Sequence, residues 1–244
     1  MEEKIIYEVL RVINGKAVFL EAHIKRMENS FKLIGMNFPL KYEEVYLRIN
    51  EVIRDNNKDT GNIKLTYSLN SKELKVFFIP HSYPTDEMYE KGVETILYFG
   101  ERTNPNAKIV NDEFRSKVNE EINKNNAFEA ILVDRNGFIT EGSKSNIFMV
   151  KGNELITSPL KAVLPGVTRG EKIDIAKKHG IIVREEEFSY KDIDKLDGMF
   201  ISGTSPKVLP INKVGEVKLN PHNDIIKKLS YEYNKEIKNY LSKQ

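Results

Sequence analysis

Between residues 5 and 20, two runs that alternate hydrophobic and mixed residues flank Asn14-Gly15. Asn and Gly accept the positive φ that a two-residue turn requires, so this dipeptide predicts that the chain opens as a β-hairpin. Directly after it, Leu20, Ile24, Met27, Phe31 and Ile34 recur at helical spacing. With Gly35 suited to a left-handed C-terminal cap, they predict an amphipathic helix over 20–34. A second helical pattern covers 41–56, and strand patterns follow at 62–69, 74–79 and 93–98. Strands and helices that mix without strict alternation predict an α+β unit rather than a regular α/β repeat.

The segment Phe99-Gly-Glu-Arg-Thr-Asn-Pro-Asn-Ala107 is polar and turn-rich, as an inter-domain linker is. It divides the chain into a small domain over 1–98, a linker over 99–106 and a larger domain over 107–244. The second part predicts a polar helix near 112–125 and strands at 129–134, 146–151, 154–157, 181–187 and 198–202. Pro165-Gly166-Val167-Thr168 leads into a helix ending near Gly180, and a last helix over 223–241 carries Ile226, Leu229, Tyr233, Ile237 and Leu241 on one stripe.

Composition removes whole classes of function. Lys plus Arg at 38 against Asp plus Glu at 36 leaves a formal charge of +2, which argues against a nucleic-acid or basic membrane-binding surface. There is no cysteine and the four histidines, at 23, 81, 179 and 222, are scattered, so no metal site is expected. The N-terminal Met1-Glu-Glu-Lys-Ile-Ile-Tyr7 has no apolar leader, and no window reaches the about 18 apolar residues of a membrane span. The expectation is a cytoplasmic protein.

Single residues are ambiguous by themselves. Lys108 stands among apolar neighbours in Ala107-Lys-Ile-Val110. There it is either a desolvated, nucleophilic amine or a lysine snorkelling from a strand end. Glu141 precedes the small polar run Gly142-Ser-Lys-Ser-Asn146, which equally suits a solvated turn at a strand edge. Val167-Thr168 and Gly203-Thr204 each offer backbone N–H groups and a hydroxyl, the usual means of holding a phosphate, although capping alone would explain Thr168. His23 and Arg26, one turn apart on the first helix, read as a packed histidine and a surface arginine unless an anion lies nearby.

Taken in order, Glu21-Ala-His23-Ile-Lys-Arg26-Met, Ala107-Lys108-Ile-Val-Asn111, Glu129-Ala-Ile-Leu-Val-Asp134, Glu141-Gly-Ser-Lys-Ser-Asn146-Ile-Phe148, Leu164-Pro-Gly-Val-Thr168-Arg169 and Phe200-Ile-Ser-Gly-Thr204 resemble the class IV aminotransferases. That family includes branched-chain and D-amino-acid aminotransferases and aminodeoxychorismate lyase, and the resemblance runs from about Tyr7 to Ile211. It implies the two-domain fold type IV architecture, with pyridoxal 5′-phosphate between the domains, in a homodimer. It implies that Lys108 carries the cofactor as a Schiff base and that Glu141 faces the pyridine nitrogen. The phosphate would be held by Arg26, Val167, Thr168, Gly203 and Thr204. Tyr7 matches an active-site aromatic of the D-amino-acid enzymes, though a core tyrosine is an alternative, and Asp112 stands either near the substrate side or as a helix cap.

Two departures from the family bear on substrate. Relatives carry a longer segment before the Tyr-Glu-Val found at Tyr7-Glu8-Val9, so part of the substrate-side wall is expected to be missing. Leu69-Asn70 replaces an Arg-Gly, which removes the carboxylate-trapping arginine of the D-amino-acid enzymes. The leading expectation is transfer of an amino group between an amino acid and a 2-oxo acid. The alternatives are pyruvate elimination from aminodeoxychorismate, giving 4-aminobenzoate, and a PLP-binding protein that has lost catalysis.

Overall fold

The structure, a computed structural model, describes residues 4–243. Met1–Glu3, part of the N-terminal stretch read above for an apolar leader, lie outside the described residues, as does Gln244. The chain forms two compact units, one of residues 1–82, 106–110 and 236–244, the other of residues 83–105 and 111–235.

Unit 1 contains strand β1 (Ile5–Ile13), β2 (Lys16–Ala17), helix α1 (Leu20–Leu33), α2 (Tyr42–Asp55), β3 (Gly61–Ser68) and β4 (Glu73–Ile79). The strands form one antiparallel sheet in the order β2-β1-β3-β4. Asn14 and Gly15 both have positive φ, 52° and 72°, as the tight turn between β1 and β2 demands. The even-numbered residues of β1 point into the core: Leu10 and Val12 pack with Leu20 and Ile24 of α1 and with Val45 and Ile49 of α2, while Ile6 joins Met27 and Phe31. Residues 106–110 add to the free edge of β1. The Tyr7 N–H donates to the Lys108 carbonyl at 3.0 Å and the Val110 N–H to the Ile5 carbonyl at 3.1 Å.

Unit 2 contains, in order, α3 (Asp86–Lys91), β5 (Val93–Phe99), α4 (Asp112–Lys124), β6 (Glu129–Val133), β7 (Phe138–Gly142), β8 (Asn146–Lys151) and β9 (Glu154–Thr157). There follow α5 (Val167–Lys178), β10 (Ile182–Glu185), β11 (Phe188–Ser189), β12 (Gly198–Gly203), β13 (Lys207–Val214) and β14 (Val217–Lys218). The last helix, α6 (Asp224–Ser242), has its final residues in unit 1. The strands make a ten-stranded mixed sheet in the order β10-β9-β8-β12-β13-β5-β6-β7-β11, with β14 on β13. Its central strands are buried on both faces. Ile147, Met149, Met199 and Ile201 fill one side, and Phe148 stacks on Phe200 at 5.0 Å. Strands covered on both faces read as continuous hydrophobic runs, which is how β8 and β12 appear in the sequence.

Four readings of the sequence change. Strand β5, assigned above to the first domain, pairs with β6 and β13 of the large sheet, and Lys108 lies with unit 1. Tertiary pairing, invisible to local pattern, decides both. Strand β13 was not anticipated, because Pro210 lies in its middle and proline lacks the N–H of a central strand. The structure accommodates it because pairing with β5 begins only at Ile211. Asp112 does not cap α4: the Asn111 side chain accepts from the Phe114 N–H at 3.1 Å, and Asp112 is the exposed first helical residue.

Candidate active site

The antiparallel register puts Tyr7 and Lys64 on one face of the unit 1 sheet, since Val9 pairs with Lys64 and Tyr7 with Thr66. Lys108, on the added edge, also reaches the Tyr7 ring. Its Nζ lies 4.5 Å from the ring centroid and the Lys64 Nζ 5.2 Å. The buried Tyr7 ring is thus a platform for two amines. Lys64 carried no signal in the sequence.

On the opposite face of β1, Glu8 turns toward α1 and is 1% exposed. The Arg26 guanidinium donates from Nε to Glu8 Oε1 at 2.7 Å and from Nη2 to Oε2 at 2.6 Å. His23 Nδ1 lies 2.8 Å from Oε2. Burial pushes the Glu8 carboxyl up, but Arg26, and His23 after it, outweigh that and bring it down to about 2. Burial lowers His23, against the pull of Glu8, so the ring is neutral. Because a carboxylate only accepts, that neutral ring donates from Nδ1. The anion that decides between a surface and a buried role for Arg26 is therefore Glu8. A carboxylate at a core-facing position of β1, between Ile6 and Leu10, was the available signal.

In unit 2, Glu141 is a buried residue of β7 and not a solvated turn residue. Its Oε1 accepts from Arg102 Nη1 at 3.1 Å and its Oε2 from the Leu164 N–H at 3.0 Å. Arg102 comes from the polar segment read as a linker, where nothing in the sequence marks it. Leu164 opens the loop that becomes α5, whose start has Gly166 as N-cap with no side-chain cap. Thr168, within the first turn, does not cap its helix. Its buried hydroxyl accepts from Ser202 Oγ at 3.3 Å. A Cβ at Gly166 would collide with the side-chain oxygen of Asn146, whose amide donates to the Leu164 carbonyl, so glycine is required for this close approach. Gly203 ends β12, and Thr204 stands in the turn that follows.

The sequence model of the amino-transferase class IV family matches residues 5–214. The chain belongs to the class IV aminotransferases. Members of this family are enzymes that depend on pyridoxal 5′-phosphate. A Methanocaldococcus jannaschii protein provisionally named a branched-chain-amino-acid aminotransferase is 31% identical, over 93% of this chain and 85% of its own length. The D-alanine aminotransferase of Listeria monocytogenes is 29% identical over 88% of this chain and 79% of its own. Among solved structures, a Legionella pneumophila protein provisionally named 4-amino-4-deoxychorismate lyase superposes with a TM-score of 0.85 at 22% identity. That match covers 95% of this chain and 90% of the other. The fold type IV expectation is met.

The residues present fit a phosphorylated pyridine. Glu141 is a buried acceptor for a ring N–H, and the start of α5 leaves backbone donors without a side-chain cap, with the Thr168 hydroxyl beside them. Among the described residues no cluster of His, Asp and Glu suits a metal ion, and no helix is long and apolar enough to cross a membrane.

Proposed function

We propose that the protein transfers an amino group between an amino acid and a 2-oxo acid, with pyridoxal 5′-phosphate carried on Lys108 Nζ. When bound, the cofactor supplies an electron sink for the negative charge that develops at the substrate α-carbon. Lys108 would hold and move the proton at that carbon as general base and acid. Glu141 would keep the ring nitrogen protonated. Arg26, the Val167 and Gly203 backbones and the Thr168 and Thr204 hydroxyls hold the phosphate. Tyr7 orients the Lys108 amine from below, its ring 4.5 Å away. Asp112, exposed at the start of α4, is assigned to the substrate side. A homodimer working in the cytoplasm belongs to the same reading.

The observation that carries the proposal is one hydrogen bond, from the Leu164 N–H to Glu141 Oε2. It ties the buried carboxylate to the loop that ends in the start of α5 and Thr168. The test is a half-reaction panel: holoprotein is mixed with L- and D-amino acids, and conversion to the pyridoxamine form is followed by absorbance. One stereochemical series should convert. No conversion with any donor sinks the reading, and release of pyruvate and 4-aminobenzoate from aminodeoxychorismate replaces it with lyase chemistry.

A further inference from the structure

Glu8 takes no part in the chemistry proposed above, yet three donors converge on its buried carboxylate: Arg26 Nε, Arg26 Nη2 and His23 Nδ1. The two bonds from Arg26 use one edge of the guanidinium, and charge-assisted bidentate pairs of this kind fix orientation as well as position. No hydrogen bond or ion pair joins Arg26 Nη1 to any described residue. The arginine therefore has one nitrogen left to offer, held in a fixed direction. The same helical turn is tied to the Lys108 segment. Ser30 Oγ donates to the Arg26 carbonyl at 3.1 Å and accepts from the Lys108 N–H at 3.2 Å.

We propose that Glu8 is a positioning residue that presents Arg26 Nη1 to the cofactor phosphate, with His23 steadying the carboxylate. The inference rests on the reading that Arg26 binds that phosphate. A free arginine side chain loses conformational entropy when a ligand immobilises it. Clamping by Glu8 places that cost in folding, not in cofactor binding. Glu8 also keeps the guanidinium from being a lone buried cation before the phosphate arrives.

The test compares two ligands that differ only in the phosphate. Holoprotein is resolved to apoprotein and titrated with pyridoxal 5′-phosphate and with pyridoxal, using wild type, Glu8→Gln, Arg26→Ala and the double variant. E8Q should weaken pyridoxal 5′-phosphate about tenfold and leave pyridoxal within about twofold, while adding nothing in the R26A background. Equal losses for both ligands, or a further loss in R26A, would show a structural role and overturn the proposal. If R26A binds the phosphorylated ligand as well as wild type, the reading of Arg26 fails and the clamp fails with it. Should E8Q not fold, Glu8→Asp serves the same comparison, because it keeps the charge but is one methylene too short to span Nε and Nη2.

Discussion

The Leu164 backbone N–H donates to Oε2 of Glu141 at 3.0 Å, so a carboxylate on strand β7 is joined directly to the loop that starts helix α5. Thr168 lies four residues beyond Leu164 on that helix. Replacing Glu141 by Gln keeps the shape and removes the charge proposed to hold a ring nitrogen protonated. The half-reaction rate should fall by about 10²–10³, a loss typical of one preorganised electrostatic group. Stopped-flow absorbance with the best donor measures it, and an unchanged rate would remove Glu141 from the chemistry.

Lys64 is a second amine at the Tyr7 ring, so the attachment site can be tested against a neighbour of the same chemistry. Reduction of holoprotein with borohydride, followed by peptide mapping, should place the cofactor mass on Lys108 alone. Lys108→Ala should abolish the fixed mass and slow proton transfer by about 10²–10⁴. Label on Lys64 in the wild type would reassign the site.

The Glu8 carboxyl, ordinarily near 4.5, lies at about 2 in the folded protein. A lowered folded value means that the unfolded chain binds the extra proton, so the stabilisation is present above pH 4.5 and is lost as the pH falls toward 2. At about 1.36 kcal/mol per pH unit this is on the order of 3 kcal/mol. The stability gap between wild type and E8Q should shrink across that window in urea titrations. A gap that stays constant from pH 6 to pH 2 would refute it.

Lys172 is fully buried on α5, with Nζ 3.1 Å from the Tyr233 ring centroid and no hydrogen-bond partner among the described residues. Burial pulls its amine well below the usual lysine range. The unfolded chain therefore holds the extra proton, and folding is penalised at neutral pH but not above the unfolded lysine value of about 10.4. Lys172→Met keeps the linear shape and a ring contact. It should raise the melting temperature by about 5 °C at pH 7, from relief of an unsatisfied polar group, with a smaller gain near pH 10.5. Equal gains at both pH values would show that desolvation of the charged amine is not the cause.

Local chemistry made much of this molecule legible. Asn14-Gly15 marked the first turn, the Leu20–Ile34 spacing marked α1, and the ordered motifs, the one around Glu141 among them, marked the family. Long-range pairing was not legible: nothing in 93–99 says that β5 joins β13, and nothing in 106–110 says that Lys108 will lie along β1. Pro210 concealed a central strand by local logic that its partner strands override. Arg102 and Lys64 acquire meaning only through what folding brings beside them, Glu141 and Tyr7 respectively.

Unit 1 draws on three separate stretches of sequence. The Tyr240 hydroxyl donates to Glu21 Oε2 at 2.5 Å and accepts from the Leu20 N–H at 3.1 Å, while its ring packs on Phe19. The start of α1 is thus completed by a residue 220 positions away in sequence. Closing a loop of that length costs chain entropy before the contact rewards it, so the opening helix, local in its own hydrogen bonds, gains this partner only once distant parts of the chain have met.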